Sequence, residues 1–141
     1  ILLDQGEKEQ AVATWKAYLE HDAGSSDAID VLKRLGRLAL DAEEFDEAYR
    51  LFEKAARGRG AQSLLGLAYA SEKTDRILQA EKLFKGLAES FPQGEWPAEL
   101  ANFYLRQGNR EEALDIYRRL GLLFPEKSSY FEAQIKKIKE S

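Results

Sequence analysis

The stretch SLLGLAY, residues 63–69, opens the segment that decides the fold of this chain. Its Leu-Gly pair is followed three residues later by Tyr69, and the segment continues with Ala80, then Phe84 four residues on and Pro92 eight residues after that. Small and apolar residues at spacings of three and four mark one face of an α-helix. The order therefore predicts two helices joined by a turn, with a proline just past the second helix. We expect these helices over 61–71 and 77–90.

An alanine followed four residues later by an aromatic residue occurs four times in phase along the chain. The pairs are Ala11 and Trp15, Ala48 and Phe52, Ala80 and Phe84, and Ala113 and Tyr117. Successive alanines of this set lie 37, 32 and 33 residues apart. With the Leu-Gly pairs that precede two of them, the pattern resembles the tetratricopeptide repeat (TPR), a helix–turn–helix unit of about 34 residues. We place the repeats at 1–24 (partial), 27–58, 61–92 and 95–126, and a terminal helix at 128–140.

The resemblance implies an all-α fold, a right-handed superhelix of antiparallel helix pairs (a TPR α-solenoid). Small residues such as Gly36, Gly66 and Ala101 would let helix backbones approach closely, and the paired aromatic residues would fill the space beside them. Each repeat would bury its apolar face only against its neighbours, so several repeats form one core. An ordinary antiparallel bundle is the alternative, but four alanine–aromatic pairs in phase favour the repeat array.

Smaller signals locate the turns. Two extra residues separate Tyr69 from Ala80, and we expect them in the turn at 72–76, where an insertion costs little. Asn109-x-x-Glu112 and Ser129-x-x-Glu132 each predict a capping box at the start of a helix.

Composition limits the classes of function that the chain can have. Its 141 residues favour a single domain, and a net charge of −4 argues against nonspecific nucleic-acid binding. No apolar run is long enough to cross a membrane, so we expect no membrane insertion by this fragment. There is no cysteine, and His21 has neither a second metal ligand nor a nearby nucleophile. We therefore expect no catalytic residue, no metal site and no cofactor, and the chain is not expected to be an enzyme.

The start of the chain suggests a fragment of a longer protein, because residue 1 is isoleucine and methionine is absent. A helix over 7–19 would then lack most of its hairpin partner, leaving Val12, Trp15 and Leu19 partly uncovered. Such a patch predicts missing upstream repeats or a homo-oligomer formed through the N-terminal end. Localisation stays open between the cytoplasm and a bacterial envelope or periplasm, since a targeting signal would precede Ile1.

The TPR resemblance implies which side chains face a concave groove lined by the first helix of each repeat. They form a basic cluster in one repeat, a mainly apolar set in the next and a mixed set in the third. The basic cluster could receive acidic side chains or a carboxylate, although a solvated basic flank would look the same. A clamp for the C-terminal carboxylate of heat-shock chaperones is rejected, because only Lys33 matches its pattern. The expected groove residues are Lys33, Arg34, Arg37, Ser63, Leu64, Leu67, Glu99, Asn102 and Arg106.

These observations predict a scaffold for protein–protein interaction that binds a peptide or a partner helix in the groove. We expect an apolar anchor near residues 63–67 and charged contacts on either side of it. The alternative is a docking, regulatory or self-assembling segment of a larger protein, which could be an enzyme or an envelope protein.

Overall fold

The structure is a computed structural model that describes residues 5–21, 26–93 and 95–140. Within these ranges it contains eight α-helices, two short 3-10 helices and no strand, so the predicted all-α class is confirmed. Both ends of the predicted partial repeat at 1–24 lie outside the described residues. The helices are α1 (Gln5–His21), α2 (Ser26–Asp41), α3 (Phe45–Ala55), α4 (Ala61–Lys73), α5 (Ile77–Ser90), α6 (Trp96–Arg106), α7 (Arg110–Leu123) and α8 (Ser128–Glu140).

The helices group into two compact units, Ile1–Ala80 and Glu81–Ser141, whose border lies within α5. The first unit contains α1 to α4 and the start of α5. The second contains the remainder of α5 and α6 to α8. The division into repeats and the single domain remain predictions.

The core of the first unit forms around the ring of Phe52 on α3, which is 2% exposed. A methyl group on Gly36 of α2 would lie 2.6 Å from Cε2 of this ring, and one on Gly66 of α4 would overlap the ring. The ring is therefore held between two helix backbones that come close only because both positions are glycine. Ala48 and Ala55 on α3 are fully buried. The expected role of the small residues is thus observed here.

The second unit has an aromatic core. Phe84 of α5 is fully buried, and its ring centroid lies 5.1 Å from that of Phe103 on α6. Tyr117 of α7 packs against Phe131 of α8 with ring centroids 6.2 Å apart. Tilted aromatic pairs at these distances are favourable beyond the area they bury. The aromatic residues of the repeat pattern therefore fix α8 on α7 as well as α6 on α5.

Three helix–helix turns share one backbone geometry. In each, one residue has a positive φ, and the N–H of the next residue bonds to the carbonyl five residues earlier, which is the Schellman motif. The positive-φ residues are Glu43 (59°), Asp75 (64°) and Gly108 (78°). The hydrogen bonds run from Glu44 N to Ala39 O (2.8 Å), Arg76 N to Ser71 O (2.8 Å) and Asn109 N to Tyr104 O (2.7 Å).

The turns fix the register of each helix pair. The alanines of the repeat pattern begin the second helix of each pair in the same way. Each backbone N–H donates a hydrogen bond to the carbonyl of the last residue of the preceding turn, as seen for Ala48, Ala80 and Ala113. Twelve residues before these alanines stand Gly36, Ala68 and Ala101, and all three are buried. The middle turn is no longer than the others. The two extra residues after Tyr69 therefore lie within α4, and their expected place in the turn at 72–76 is wrong.

Both predicted capping boxes are also wrong. Asn109 precedes α7 but makes no side-chain cap bond, and its backbone N–H, which the Glu112 side chain would have to reach in a capping box, already bonds to the Tyr104 carbonyl. α8 begins at Ser128, directly after a 3-10 helix at Pro125–Lys127. Ser129 is consequently inside the helix and cannot cap it.

The Phe52 contact gives a test of the fold. Gly66→Ala should lower the free energy of unfolding by about 1–3 kcal/mol, because the added methyl group overlaps a ring that is closed in on its other side by Gly36. The measurement is urea unfolding followed by circular dichroism. Gly86→Ala is the matched control, since a methyl group there meets nothing within 4 Å.

The control substitution should raise stability by about 0.5–1 kcal/mol, the usual gain of alanine over glycine inside a helix. Equal effects of the two substitutions would contradict the packing that we describe around Phe52.

Candidate functional site

The basic cluster on α2 is exposed on the first unit. The side chains of Arg34 and Arg37 are exposed, and Lys33 is half-buried. Lys33 Nζ lies 3.2 Å from Asp30 Oδ1, one helical turn away. An ion pair of this kind at the surface contributes little to stability. The two guanidinium groups are therefore the part of this cluster that is best placed to meet a partner.

Two of the three residues expected to face the groove from α4 are buried. Ser63 is 1% exposed and Leu67 is 7% exposed, while Leu64 is half-buried. Neither buried side chain projects from the surface of α4, and neither lines the cleft between α1, α2 and α3. Ser63 and Leu67 are thus packing residues, which corrects the expectation for α4.

The shifted register of α4 explains this result. Counted from the turn, Leu67, Ala68 and Ser71 occupy the same places as Leu35, Gly36 and Ala39 on α2, and as Leu100, Ala101 and Tyr104 on α6, and all nine are buried. The same count makes Leu65 and Tyr69 the counterparts of Lys33 and Arg37. Both are half-buried. The Leu-Gly-x-x-Tyr match at 65–69 therefore places the register position two residues too early. That position is Ala68, whereas Gly66 is glycine because the Phe52 ring packs against it.

The mixed set on α6 belongs to the second unit. Asn102 and Arg106 are exposed, and Glu99 is half-buried. The guanidinium carbon of Arg106 lies 5.9 Å from the centroid of the Phe84 ring, so its side chain partly covers an aromatic core residue. These three residues form a polar surface on the second unit.

Each unit also contains a cleft that the sequence did not suggest. The first, of about 500 Å³, lies between α1, α2 and α3. The second, of about 530 Å³, lies between α5, α6 and α7. Leu35, Ala39 and Leu51 contribute to the floor of the first cleft. Ala39 occupies the position that Tyr104 has on α6, and each of the two residues lines the cleft of its own unit.

Tyr104 is 4% exposed at the edge of the second cleft. Its hydroxyl donates a hydrogen bond to the carboxylate of Glu81. Burial, followed by the hydrogen bond to Glu81 and the negative charges of Glu81 and Glu112, raises the pKa of Tyr104 well above its usual range. Burial also raises the pKa of Tyr117. These shifts favour the neutral phenols and reflect structural hydrogen bonding and packing.

Neither tryptophan is fully buried. Trp15 and Trp96 are half-buried, and the Trp96 ring lies 5.7 Å from the ring of Phe91. Val12 and Leu19, like Trp15, are partly exposed on α1, as expected. Within the described ranges, no group of three or more His, Asp or Glu side chains is arranged to hold a metal ion. None of the helices described has the length and apolar character needed to cross a membrane.

The comparisons with known proteins support the repeat pattern and the fold. Residues 98–123 match the family model of the tetratricopeptide repeat. No curated protein matches the sequence. Among solved structures, the chain is similar to a tetratricopeptide repeat protein from Parabacteroides merdae, with a TM-score of 0.74 at 16% identity over 97% of this chain and 56% of that one.

Two further solved structures are also similar. The type III secretion chaperone SycD of Yersinia enterocolitica, solved with a peptide of the translocator YopD, has a TM-score of 0.62 at 19% identity over 82% of this chain and 95% of that one. PcrH of Pseudomonas aeruginosa has a TM-score of 0.65 at 18% identity, again over 82% of this chain and 95% of that one. At these identities the likeness establishes the fold alone.

The phenol of Tyr104 leads to a prediction about pH. Because its folded pKa is raised, Tyr104 contributes stability that is complete below about pH 10, the pKa of an unfolded tyrosine, and that is lost as the pH rises further. Tyr104→Phe should lower the free energy of unfolding at pH 8 by about 1–3 kcal/mol, through the lost bond to Glu81. Its stability should then decline less between about pH 10 and 11.5 than that of the wild type.

Urea unfolding at a series of pH values measures both effects. Tyr130→Phe, at a tyrosine that is 57% exposed, serves as the control and should keep the wild-type decline. If the free energies of unfolding of the wild type and Tyr104→Phe declined equally above pH 10, the raised pKa of Tyr104 would be contradicted.

Proposed function

Because this chain carries a tetratricopeptide repeat at residues 98–123 and has the fold of tetratricopeptide repeat proteins, we propose that it is a protein-interaction scaffold that binds a peptide or a partner helix. The main support is the similarity to SycD, solved with a peptide of YopD, and to PcrH, solved with the chaperone-binding region of PopD. Both are small helical proteins that this chain matches over most of their length. The proposal assigns no catalytic step to the chain.

The surface that we propose for the first unit combines charge with apolar contact. Arg34 and Arg37 supply two exposed guanidinium groups on α2, and Leu65 and Tyr69 supply half-buried side chains on α4. Guanidinium groups form charge-assisted, often bidentate hydrogen bonds to carboxylates. A partner segment that pairs acidic residues with an apolar anchor fits this surface. The exposed Asn102 and Arg106 on α6, with Glu99 beside them, would offer polar contacts on the second unit.

Self-assembly is a second candidate function, and exposed apolar residues of the second unit favour it. Leu122 and Leu123 at the end of α7 are 82% and 65% exposed, and Tyr130 on α8 is 57% exposed. Large apolar side chains close together at a surface are typical of interaction sites. In this reading the chain would be a docking or assembling segment of a larger protein.

The scaffold proposal is tested by charge reversal on α2. Arg34→Glu with Arg37→Glu should weaken the binding of at least one captured protein by about 10- to 100-fold, the loss expected when charge-assisted hydrogen bonds are replaced by repulsion. Partners are captured on the immobilised chain, identified by mass spectrometry, and their binding segments are titrated by calorimetry.

The matched control reverses two exposed arginines elsewhere, Arg50→Glu with Arg118→Glu, and so changes the net charge equally. If every partner binds the α2 variant as well as it binds the control, the basic surface is not the binding site. If the only captured protein is the chain itself, self-assembly replaces the scaffold proposal.

A further inference from the structure

The cleft between α1, α2 and α3 has an apolar floor and an acidic rim. Leu35, Ala39 and Leu51 in its floor are 3%, 6% and 8% exposed, and Leu38 and Val12 are half-buried beside them. Its volume of about 500 Å³ is within the range of small-ligand sites, roughly 300–1,000 Å³. Ala39, the smallest residue of the floor, stands where the second unit has Tyr104. The cleft can therefore accept a bulky apolar side chain.

The charged residues that line this cleft are mostly acidic. The lining contains four carboxylates and one ammonium group, which together give it a formal charge of −3. Among the residues that the structure describes, no cation pairs with Asp41, Glu44 or Glu47. The rim residues are Glu9, Asp41, Glu44 and Glu47, with Lys16 as the only basic lining residue in the described part of the chain.

The helix ends explain some of these carboxylates but not all of them. Glu44 and Glu47 stand at the start of α3, where the partial positive charge of the helix favours an acidic side chain. Asp41 is the last residue of α2, where the partial negative charge of the helix end disfavours a carboxylate, and that turn carries no basic residue. Asp41 thus adds negative charge at a point that is already negative. A cation from outside the unit would relieve it.

We propose that this cleft docks a basic, amphipathic peptide segment, with a leucine-, isoleucine- or phenylalanine-type side chain on the floor and lysine or arginine side chains against Asp41, Glu44 and Glu47. The charge complementarity selects this occupant over an acidic or uncharged one. A small cation alone would leave the apolar floor empty. The basic cluster on α2 does not line this cleft, and the cleft takes a partner of the opposite charge, so the site extends the proposed function and does not depend on it.

A displayed library of random 12-residue peptides, selected against the folded chain, tests the proposal. Enriched peptides should combine lysine or arginine with bulky apolar residues. Calorimetry on synthetic copies should show affinity at least 10-fold lower for Ala39→Tyr, which fills the floor, and for Asp41→Lys with Glu44→Lys, which reverses the rim. Arg34→Glu with Arg37→Glu should not lower this affinity, because it adds negative charge one helical turn from Asp41, and that separates failure here from failure of the α2 surface.

The single substitution Asp41→Lys guards against misfolding as an explanation. It places a cation at the C-terminal end of α2 and keeps Glu44 at the start of α3, so its melting temperature should equal or exceed that of the wild type while peptide affinity falls. Several outcomes would overturn the proposal: no enriched peptide, an acidic or uncharged consensus, or unchanged affinity in the rim variant. A dimer in sedimentation experiments that Ala39→Tyr dissociates would also overturn it, since the cleft would then hold a second copy of the chain.

Discussion

The contact between the ring of Phe52 and the backbones of α2 and α4 is the constraint on which the first unit depends. A ring held between Gly36 and Gly66 requires that neither residue has a side chain. Close approach of the backbones also brings Ala48 and Ala55 into full burial. The glycine at 66 therefore satisfies a packing requirement that comes from α3, one helix earlier in the chain. The arrangement of α2, α3 and α4 follows from this single ring.

The turns set the second constraint, which is the register between the two helices of a pair. A Schellman motif fixes the distance from the end of one helix to the pattern alanine of the next. Two of the three positive-φ residues in these turns are Glu43 and Asp75, where glycine would be less strained. Their carboxylates face solvent. Backbone hydrogen bonds therefore hold these turns without help from the side chain at the critical position.

Much of the fold could be predicted from the sequence, because helical spacing and the alanine–aromatic pairs report local geometry and packing. α5 has the predicted bounds, Ile77–Ser90. The residues that face the groove are harder to predict, because they depend on the register between the two helices of a pair. The Leu-Gly pair at 65–66 suggests that Gly66 is the counterpart of Gly36. The true counterpart is Ala68, which stands twelve residues before Ala80, as Gly36 does before Ala48. Counting back from the alanines would have placed Leu65 and Tyr69 outward and Ser63 and Leu67 inward.

One register position shows how a repeat fold diversifies its surface without changing its backbone. Ala39, Ser71 and Tyr104 each accept the closing hydrogen bond of a turn through their carbonyls, yet their side chains differ in size and polarity. Alanine forms part of an apolar cleft floor, and tyrosine reaches the carboxylate of Glu81. The hydroxyl of Ser71 is buried without a hydrogen-bond partner among the described residues, which costs about 1–3 kcal/mol. Because the turn uses only backbone atoms, the side chain at this position can vary in size and polarity while the fold stays the same.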